Sequence, residues 1–516
     1  MIASPGSRPL LSSPTSSRSA RRRAAGPWLP LAGLAGVFSV AFAARLVPVL
    51  RDGGLHQMGN YDDGVHYAAA MGLVHGLLPY RDFLLLHPPG IALLLAPFAW
   101  LAELLGEPGA MAVARVCWMA LGGLNAVLCG LVLLPQGRRA AVVAGLMYAV
   151  FYGGIYSEHT VLLEPPATTV LLLALVLTRA LGSGDGVSTV HYVGAGLLLG
   201  LSPSLKIWGA LTVLVVVGSL AMTRGLRHGL TVLASSIGSC MVVCLPFFLA
   251  APGAMWQMVV VDQLGRRRDD LVLVKRIDAM LGLNRWSPEA LHLSATLMAA
   301  AVIASLVACL MLPRLRLLAA LFVSHALLLA VTPMWFLHYA GFIAAPFVLM
   351  LGGGLAVALR KVGKLRSWLP SVVAALAAIA VLLNALPITQ LRLGRPFPGR
   401  EAAAIVADMP GCVVTDLPMA LIQMNLLRRN LDRGCRLEVD LSGASYHLDA
   451  GDDKENARDR NRVWQAYAMD YLRTGDVAVI ARFSSGVGFS HRTAEVVRGW
   501  PELGRAGRLA IREPQP

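Results

Sequence analysis

Charge is scarce in this chain. Only 15% of its 516 residues are Asp, Glu, Lys or Arg, against 56% that are hydrophobic, and mean hydropathy is +0.62. The apolar residues run in long uninterrupted stretches. That excludes an ordinary soluble enzyme and points to a polytopic α-helical membrane protein. The few charges are unbalanced, with a formal net charge of +15. In a membrane protein such an excess sits in cytoplasmic loops and sets orientation, so the lipid bilayer is the expected partner and a nucleic acid is not.

Cysteine is sparse as well. Cys117, Cys129, Cys240, Cys244 and Cys309 lie inside apolar runs, where a thiol acts as a small hydrophobe. Cys412 and Cys435 fall in polar sequence and can pair if that region faces an oxidising compartment. No C-x-x-C or Cys/His spacing marks a zinc site, so no metal ligands are assigned. No cofactor is called for, although carboxylates facing a phosphate are able to hold a divalent cation. The polar stretch 388–516 has no G-x-G-x-x-G, no P-loop and no nucleophile elbow.

Residues 1–27, with "SRSARRRAAGP", read as a disordered basic cytoplasmic tail. The run at 28–49 is too long for a signal-peptide core and reads as a retained first span. The stretch 88–106 decides the parity of the rest. As a full span it would send Arg138 and Arg139 outside. As a helix lying on the outer surface it leaves them inside, together with Arg224, Arg227, Arg314, Arg316, Arg360, Lys361, Lys364 and Arg366. The positive-inside rule selects the second arrangement.

About eleven spans follow within a membrane domain at 28–387, near 28–49, 110–134, 140–157, 165–181, 189–204, 207–222, 229–250, 291–312, 317–334, 340–358 and 367–387. The N-terminus is then cytoplasmic and 388–516 extracytoplasmic, in a multi-pass protein of the plasma membrane. The basic "GRRRDD" in the long outer loop 251–290 departs from the rule, which long loops obey poorly. In the tail, β-like runs ("CVVTDLP", "CRLEVDLSG", "DVAVIARF", "RLAIRE") alternate with helical stretches, the pattern of a small α/β domain.

This parity gathers the informative polar residues at one surface. "NYDDGVHY" carries Asp62 and Asp63, "YSEHTVLLEPP" carries Glu158 and Glu164, and Lys206 follows a small-residue turn in "LSPSLKIWG". Arg266, Arg267 and Arg268 lie in the long outer loop, and His338 and Tyr339 lie in "WFLHYAGF". Each has a plain alternative. Asn60 can cap a helix whose first turn holds Asp62 and Asp63. Lys206 can snorkel, Glu164 can cap a span, the arginines can touch headgroups, and His338 and Tyr339 can anchor at the interface. Their convergence carries more weight, since ionisable groups at span edges usually line a site. A lipid-borne phosphate substrate and a hydroxyl acceptor need both kinds of group. A carboxylate takes the hydroxyl proton, and cations absorb the charge of the leaving phosphate.

The ordered set "DDGVHYAAAMGLVHGLLPYRDFLLLHPPG", "GAMAVARVCWMALGG", "LLEPPAT" and "GLSPSLKIWGAL" resembles the GT-C membrane glycosyltransferases over roughly residues 28–350. Within them it is most similar to the polyprenyl-phosphate-sugar enzymes, the protein mannosyltransferases and the aminoarabinose transferases. The resemblance implies a catalytic Asp63, spaced four residues from Tyr67, and a second acid at Glu164. It also matches Pro88 and Pro89 to the family's proline pair and Lys206 to the lysine after a small-residue turn; His87, just before the prolines, is a further substrate-binding candidate. The family commonly has Asp-Glu where this chain has Asp63-Gly64, so the pair Asp62-Asp63 is the other alignment. The W-W-D signature of oligosaccharyltransferases is missing.

The implied activity is inverting transfer of a mannose- or arabinose-like sugar from a polyprenyl-phosphate carrier to an envelope lipid, glycan or protein. In it Asp63 acts as base, Glu164 with Asp62 or Glu158 shapes the sugar site, and Lys206, Arg266, Arg267, Arg268 and His338 hold the phosphate. The rival reading is a transporter or flippase of lipid-linked sugars. The apolar span centres disfavour it.

Overall fold

The computed structural model describes residues 28–51, 53–182, 186–266, 271–283, 288–383, 388, 392–394, 396–448, 455–483, 488–507 and 509–515. The expected tail 1–27 lies outside them, and so do Arg267 and Arg268.

Helices dominate the first three quarters of the chain. In order they are α1 (Trp28–Val49), α2 (Tyr61–Val74), α3 (Gly90–Leu133), α4 (Arg138–Val150), α5 (Tyr152–Glu158), α6 (Glu164–Leu177), α7 (Thr189–Leu205), α8 (Gly209–Arg224) and α9 (Leu226–Ala250). Short helices α10 (Pro252–Trp256), α11 (Asp262–Leu264) and α12 (Leu273–Met280) follow, then α13 (Pro288–Met311), α14 (Arg316–Val331), α15 (Ala340–Leu365) and α16 (Leu369–Leu383). A helix occupies each of the eleven segments expected to span. Among the described residues four helical runs, Gly90–Gln136, Leu226–Ala250, Pro313–Val331 and Leu337–Leu365, are long and apolar enough to cross a membrane by length and composition. Gly33–Val49, Glu164–Leu177, Gly209–Arg224, Ala295–Met311 and Leu369–Ile379 are shorter apolar helices.

Two elements depart from straight spans. α3 bends at Gly106, whose φ of 70° and ψ of 162° interrupt the helix where the surface stretch was expected to end. A side chain at that φ would be strained, which is why glycine stands there. The segment 140–157, expected as one span, is α4 and α5 meeting at 57°. The break falls at Phe151, whose extended backbone caps the first helix.

The tail carries a four-stranded sheet of order β1-β2-β4-β3, formed by Val413–Thr415 (β1), Val477–Ile480 (β2), Glu502–Ala506 (β3) and Leu509–Arg512 (β4). β1 runs parallel to β2, with Val413 opposite Val477, and the other pairs are antiparallel. The run 435–443, expected as a strand, forms none. Its acidic side chains Glu438 and Asp440 are taken up elsewhere. Cys412 and Cys435 form a disulfide with Cα atoms 5.8 Å apart, just ahead of β1.

The tail shares its core with the membrane helices. Met71 of α2 and Leu95 of α3 are fully buried in one cluster with Val413, Met419, Ile422 and Ile511. Burying each such side chain contributes about 1.5–3 kcal/mol. Gly64 permits the contact, because a Cβ there would come within 2.9 Å of the Met419 nitrogen. At the bend of α3 the Glu107 carboxylate accepts the backbone N–H groups of Leu427 and Arg428 at 3.2 and 2.8 Å. The Asn425 side-chain oxygen accepts the Glu107 N–H at 2.8 Å. These bonds fix how the tail lies over α2.

Candidate active site

α2 begins as its sequence dictates. Asn60 caps it, its side-chain oxygen accepting the Asp62 N–H at 3.2 Å, and Asp62 and Asp63 occupy the first turn. Neighbouring residues on a helix point about 100° apart, so the two carboxylates cannot share one environment. Asp63 is fully buried and does not line the cavity that Asp62 faces. Its Oδ2 takes a 2.9 Å ion pair from Arg115 Nη2 and a hydrogen bond from the Thr160 hydroxyl. Arg115 is anchored in turn on the carbonyls of Leu55 and Gln57. Burial pushes the Asp63 carboxyl above its usual range, against the pull of Arg115 and Thr160. Asp62 instead opens into a cavity of about 680 Å³, its side chain one-third exposed at 33%. Its Oδ2 lies 3.7 Å from His338 Nε2.

The cavity is assembled from several elements. Glu164, the first residue of α6, meets Lys206, which caps the end of α7, at 2.6 Å. The Lys206 ammonium lies 4.2 Å from the Trp208 ring and 4.1 Å from the Tyr339 ring, so it is held between aromatic faces and does not snorkel. Tyr339 and His338 stand on the turn before α15, their rings edge to face. His87 lines the cavity, with the His66 ring 5.7 Å away. His66 Nδ1 bonds the Val161 carbonyl at 2.9 Å, which pins the 159–163 segment to α2. Arg266 comes from the segment after α11 and stacks over Tyr446 of the tail at 4.3 Å. Asp262 holds that loop to the tail through His447, at 2.7 Å, and this carboxylate raises the His447 imidazole above its ordinary value.

The wall facing the membrane helices belongs to the tail. Asp440, Arg458 and Arg482 line the cavity with Tyr61 of α2. The Arg482 guanidinium covers the Tyr61 ring at 4.3 Å, and the Tyr61 hydroxyl accepts the Ser442 N–H at 2.9 Å. Burial and the nearby Asp62 push Asp440 upward, opposed by the Gly443 N–H, Tyr61 and Arg266. Among the described residues no group of three or more His, Cys, Asp or Glu is placed to hold a metal ion.

No family model and no curated protein matches the sequence. Solved structures do match. ArnT from Cupriavidus metallidurans, bound to undecaprenyl phosphate, superposes with a TM-score of 0.61 at 13% identity, over 95% of this chain and 99% of that one. The oligosaccharyltransferase AglB from Archaeoglobus fulgidus, in complex with an inhibitory peptide and a dolichol-phosphate, gives 0.57 at 10% identity over 95% and 74%. An Archaeoglobus fulgidus oligosaccharyltransferase tethered to an acceptor peptide gives 0.52 at 12% identity, and the chain spans 58% of its length.

The chain has the GT-C fold.

Within the GT-C fold the expected site residues separate into two groups. Asp62, Glu164, His87, Lys206, Arg266, His338 and Tyr339 line one cavity. Asp63 and Glu158 do not. Glu158 ends α5 inside the helix bundle, where Arg45 Nε bonds it at 2.7 Å, and Asn125 and the Tyr148 hydroxyl bond its other oxygen at 2.9 and 2.7 Å. Every acceptor position is occupied, so it serves the bundle and not a ligand. His66 was readable beforehand, because it follows Asp62 by four residues and shares its helix face. Asp440, Arg458 and Arg482 carried no such signal. They converge only once the tail is folded onto α2.

Proposed function

We propose that this chain is an inverting membrane glycosyltransferase that moves one sugar from a polyprenyl-phosphate carrier to a hydroxyl of an envelope acceptor. The observation that carries the reading is the opposition, in one cavity, of a solvent-reachable carboxylate, Asp62, to the cations Lys206 and Arg266. Asp62 takes the proton of the acceptor hydroxyl as its oxygen bonds to the anomeric carbon. The bond from that carbon to the phosphate oxygen breaks on the opposite face, and the lipid phosphate leaves with the electron pair. Lys206, Arg266 and His338 stabilise the charge that grows on it. Glu164 aims Lys206 from 2.6 Å while the faces of Trp208 and Tyr339 flank its ammonium. Asp63 positions Asp62 by fixing the first turn of α2 through Arg115.

The ligands of the structural neighbours support a lipid phosphate as donor: one is bound to undecaprenyl phosphate and another to dolichol-phosphate. In this reading all eleven expected segments are spans, 28–387 is the catalytic membrane domain, and 388–516 is an extracytoplasmic domain that covers the cavity. The Cys412–Cys435 disulfide favours that side of the membrane, because cytosolic thiols stay reduced. The test is Asp62→Asn in normally inserted protein, assayed with radiolabelled polyprenyl-phosphate sugars. Transfer is expected to fall by about 10²–10⁴-fold. Near-wild-type turnover would remove Asp62 from the mechanism and with it this reading.

A further inference from the structure

At the far end of α8 and α14 from Lys206 and His338, we infer a second site: a cleft that binds an anionic phospholipid, with its phosphate on Arg314 and Arg316 and an acyl chain between the helices. The inference goes beyond sugar transfer and needs only the membrane reading. α8 starts beside Lys206 and runs 16 residues, about 24 Å, to Arg224. α14 runs from Arg316 toward the turn that carries His338. A cavity of about 720 Å³ opens where α8 ends and α14 begins. Its floor is apolar, with Leu214, Val215 and Gly218 of α8 opposite Leu317 and Ala320 of α14. Arginines mark its rim, and none of the described residues that line it is acidic.

The rim arginines differ in what they do. Arg224 shapes the rim, donating to the carbonyls of Arg179 and Gly182 at 3.2 and 2.9 Å, and the anion contact does not depend on it. That contact falls to Arg314, in the turn before α14, and to Arg316, the first residue of the helix; both are exposed. Arg316 Nε donates to the Leu310 carbonyl at 3.0 Å, and a carbonyl steadies a guanidinium without neutralising it. Glycine shows that the floor is open. A Cβ on Gly218 would meet no atom within 4 Å, whereas one on Gly229, packed against α8, would come within 2.8 Å of the Ala221 Cβ. The two helices meet midway, where the Thr212 hydroxyl and His325 Nε2 lie 3.1 Å apart, and the cleft occupies the stretch between that contact and the arginines. Sideways it opens past Leu214 and Met222, which are 60% and 84% exposed. An apolar slot of this kind suits a hydrocarbon chain, and planar guanidinium groups at its mouth suit a phosphate. In the proposed orientation this end faces the cytoplasm, where basic pockets between helices take anionic headgroups. A soluble anion would gain nothing from the floor, so the occupant is the lipid.

The experiment uses the full chain in detergent. Its thermal stabilisation is titrated with phosphatidylglycerol, phosphatidylcholine and inorganic phosphate, and retained lipid is counted by native mass spectrometry. Two variants are compared with the wild type. Arg314→Gln with Arg316→Gln removes the charge, and Gly218→Phe fills the floor while leaving both arginines in place. Phosphatidylglycerol is expected to stabilise the wild type saturably, with phosphatidylcholine far weaker and inorganic phosphate inert. The double Gln variant should weaken phosphatidylglycerol binding about tenfold or more and abolish the preference over phosphatidylcholine. Gly218→Phe should weaken binding of both lipids. Equal stabilisation by the two lipids overturns the site, as does an effect reproduced by inorganic phosphate. Unchanged phosphatidylglycerol affinity in either variant, correctly folded, overturns it too. Should both variants misfold, the wild-type titrations decide: a retained phosphatidylglycerol that phosphatidylcholine does not displace supports the site, and ready exchange for phosphatidylcholine sinks it. None of these readouts involves a sugar, so they hold or fail independently of the Asp62→Asn assay.

Discussion

Glu158 and Asp62 are both carboxylates at helix ends near one side of the bundle, and their surroundings are opposite. Glu158 is completely enclosed, and Arg45, Asn125 and Tyr148 use both its oxygens. Asp62 is one-third exposed, and its Oδ2 lies 3.7 Å from His338 Nε2. Asp63, next to it in sequence, is enclosed like Glu158, although only its Oδ2 is bonded, by Arg115 and Thr160. In a chain with so few charges, carboxylate identity says little. What separates the three is access: the protein encloses Glu158 and Asp63 and leaves Asp62 open to the cavity.

The sharpest way to break this contrast is to neutralise each member. Asp62→Asn should reduce sugar transfer by about 10²–10⁴-fold with an unaltered melting temperature, because little of the fold rests on that side chain. If Asp63→Asn gave the same kinetic loss in protein of undiminished stability, the two aspartates would not differ as their environments do. Arg45→Leu acts on the other member. It strands the Glu158 carboxylate in the bundle, and removing one partner of a buried pair costs about 3–5 kcal/mol. The expected result is poor insertion or a large drop in melting temperature, with donor KM unchanged in whatever protein survives. A selective change in donor KM would bring Glu158 back to the site.

How much of this was legible beforehand follows the same division. The apolar runs place the helices, and the break before Glu107 shows in the glycine and proline around it. The cluster Asp62, Glu164, Lys206, Arg266 and His338 was readable because orientation alone puts these residues on one surface. The choice between Asp62 and Asp63 was not. It depends on Arg115, 52 residues from Asp63 in a run that reads as plain span, and on the Thr160 hydroxyl in a different loop. Helix phase relative to α3 decides which aspartate faces the cavity, and no local pattern encodes that phase. Arg458 and Arg482 were hidden for a related reason. They come from segments with ordinary soluble composition, and only the seating of Met419 against Gly64 brings them over α2. The unformed strand at 435–443 is another case. Its alternation fits a sheet, but Tyr61 and Trp464 claim that segment, bonding the Ser442 N–H and the Leu441 carbonyl.

A smaller effect compares the tail with the membrane helices, which hold their shape without any covalent link. The Cys412–Cys435 bridge closes a separation of 23 residues. Its removal by Cys412→Ser with Cys435→Ser should cost about 3 kcal/mol, chiefly through the entropy returned to the unfolded tail. Limited proteolysis is expected to cut near β1 in the variant while the helical part stays intact. Equal resistance of both proteins would mean that the core shared with α2 and α3 holds the tail by itself.

The smallest effect concerns Glu438, a third kind of carboxylate, buried like Glu158 but with far fewer partners. Burial pushes its carboxyl up to about 7, although the Tyr467 hydroxyl donates to it and Arg436 is near. In the unfolded chain it would titrate near 4.3, so the folded state holds the proton more tightly. The sign follows. The stabilising contribution is fully present below the unfolded value and is lost as pH rises through about 7. Melting temperature should therefore fall over that window by a few degrees more in the wild type than in Glu438→Gln, which cannot ionise. The comparison between the two proteins cancels every other titrating group. Parallel curves would show that Glu438 is ionised in the folded tail, with Tyr467 and Arg436 compensating it as completely as Arg45, Asn125 and Tyr148 compensate Glu158.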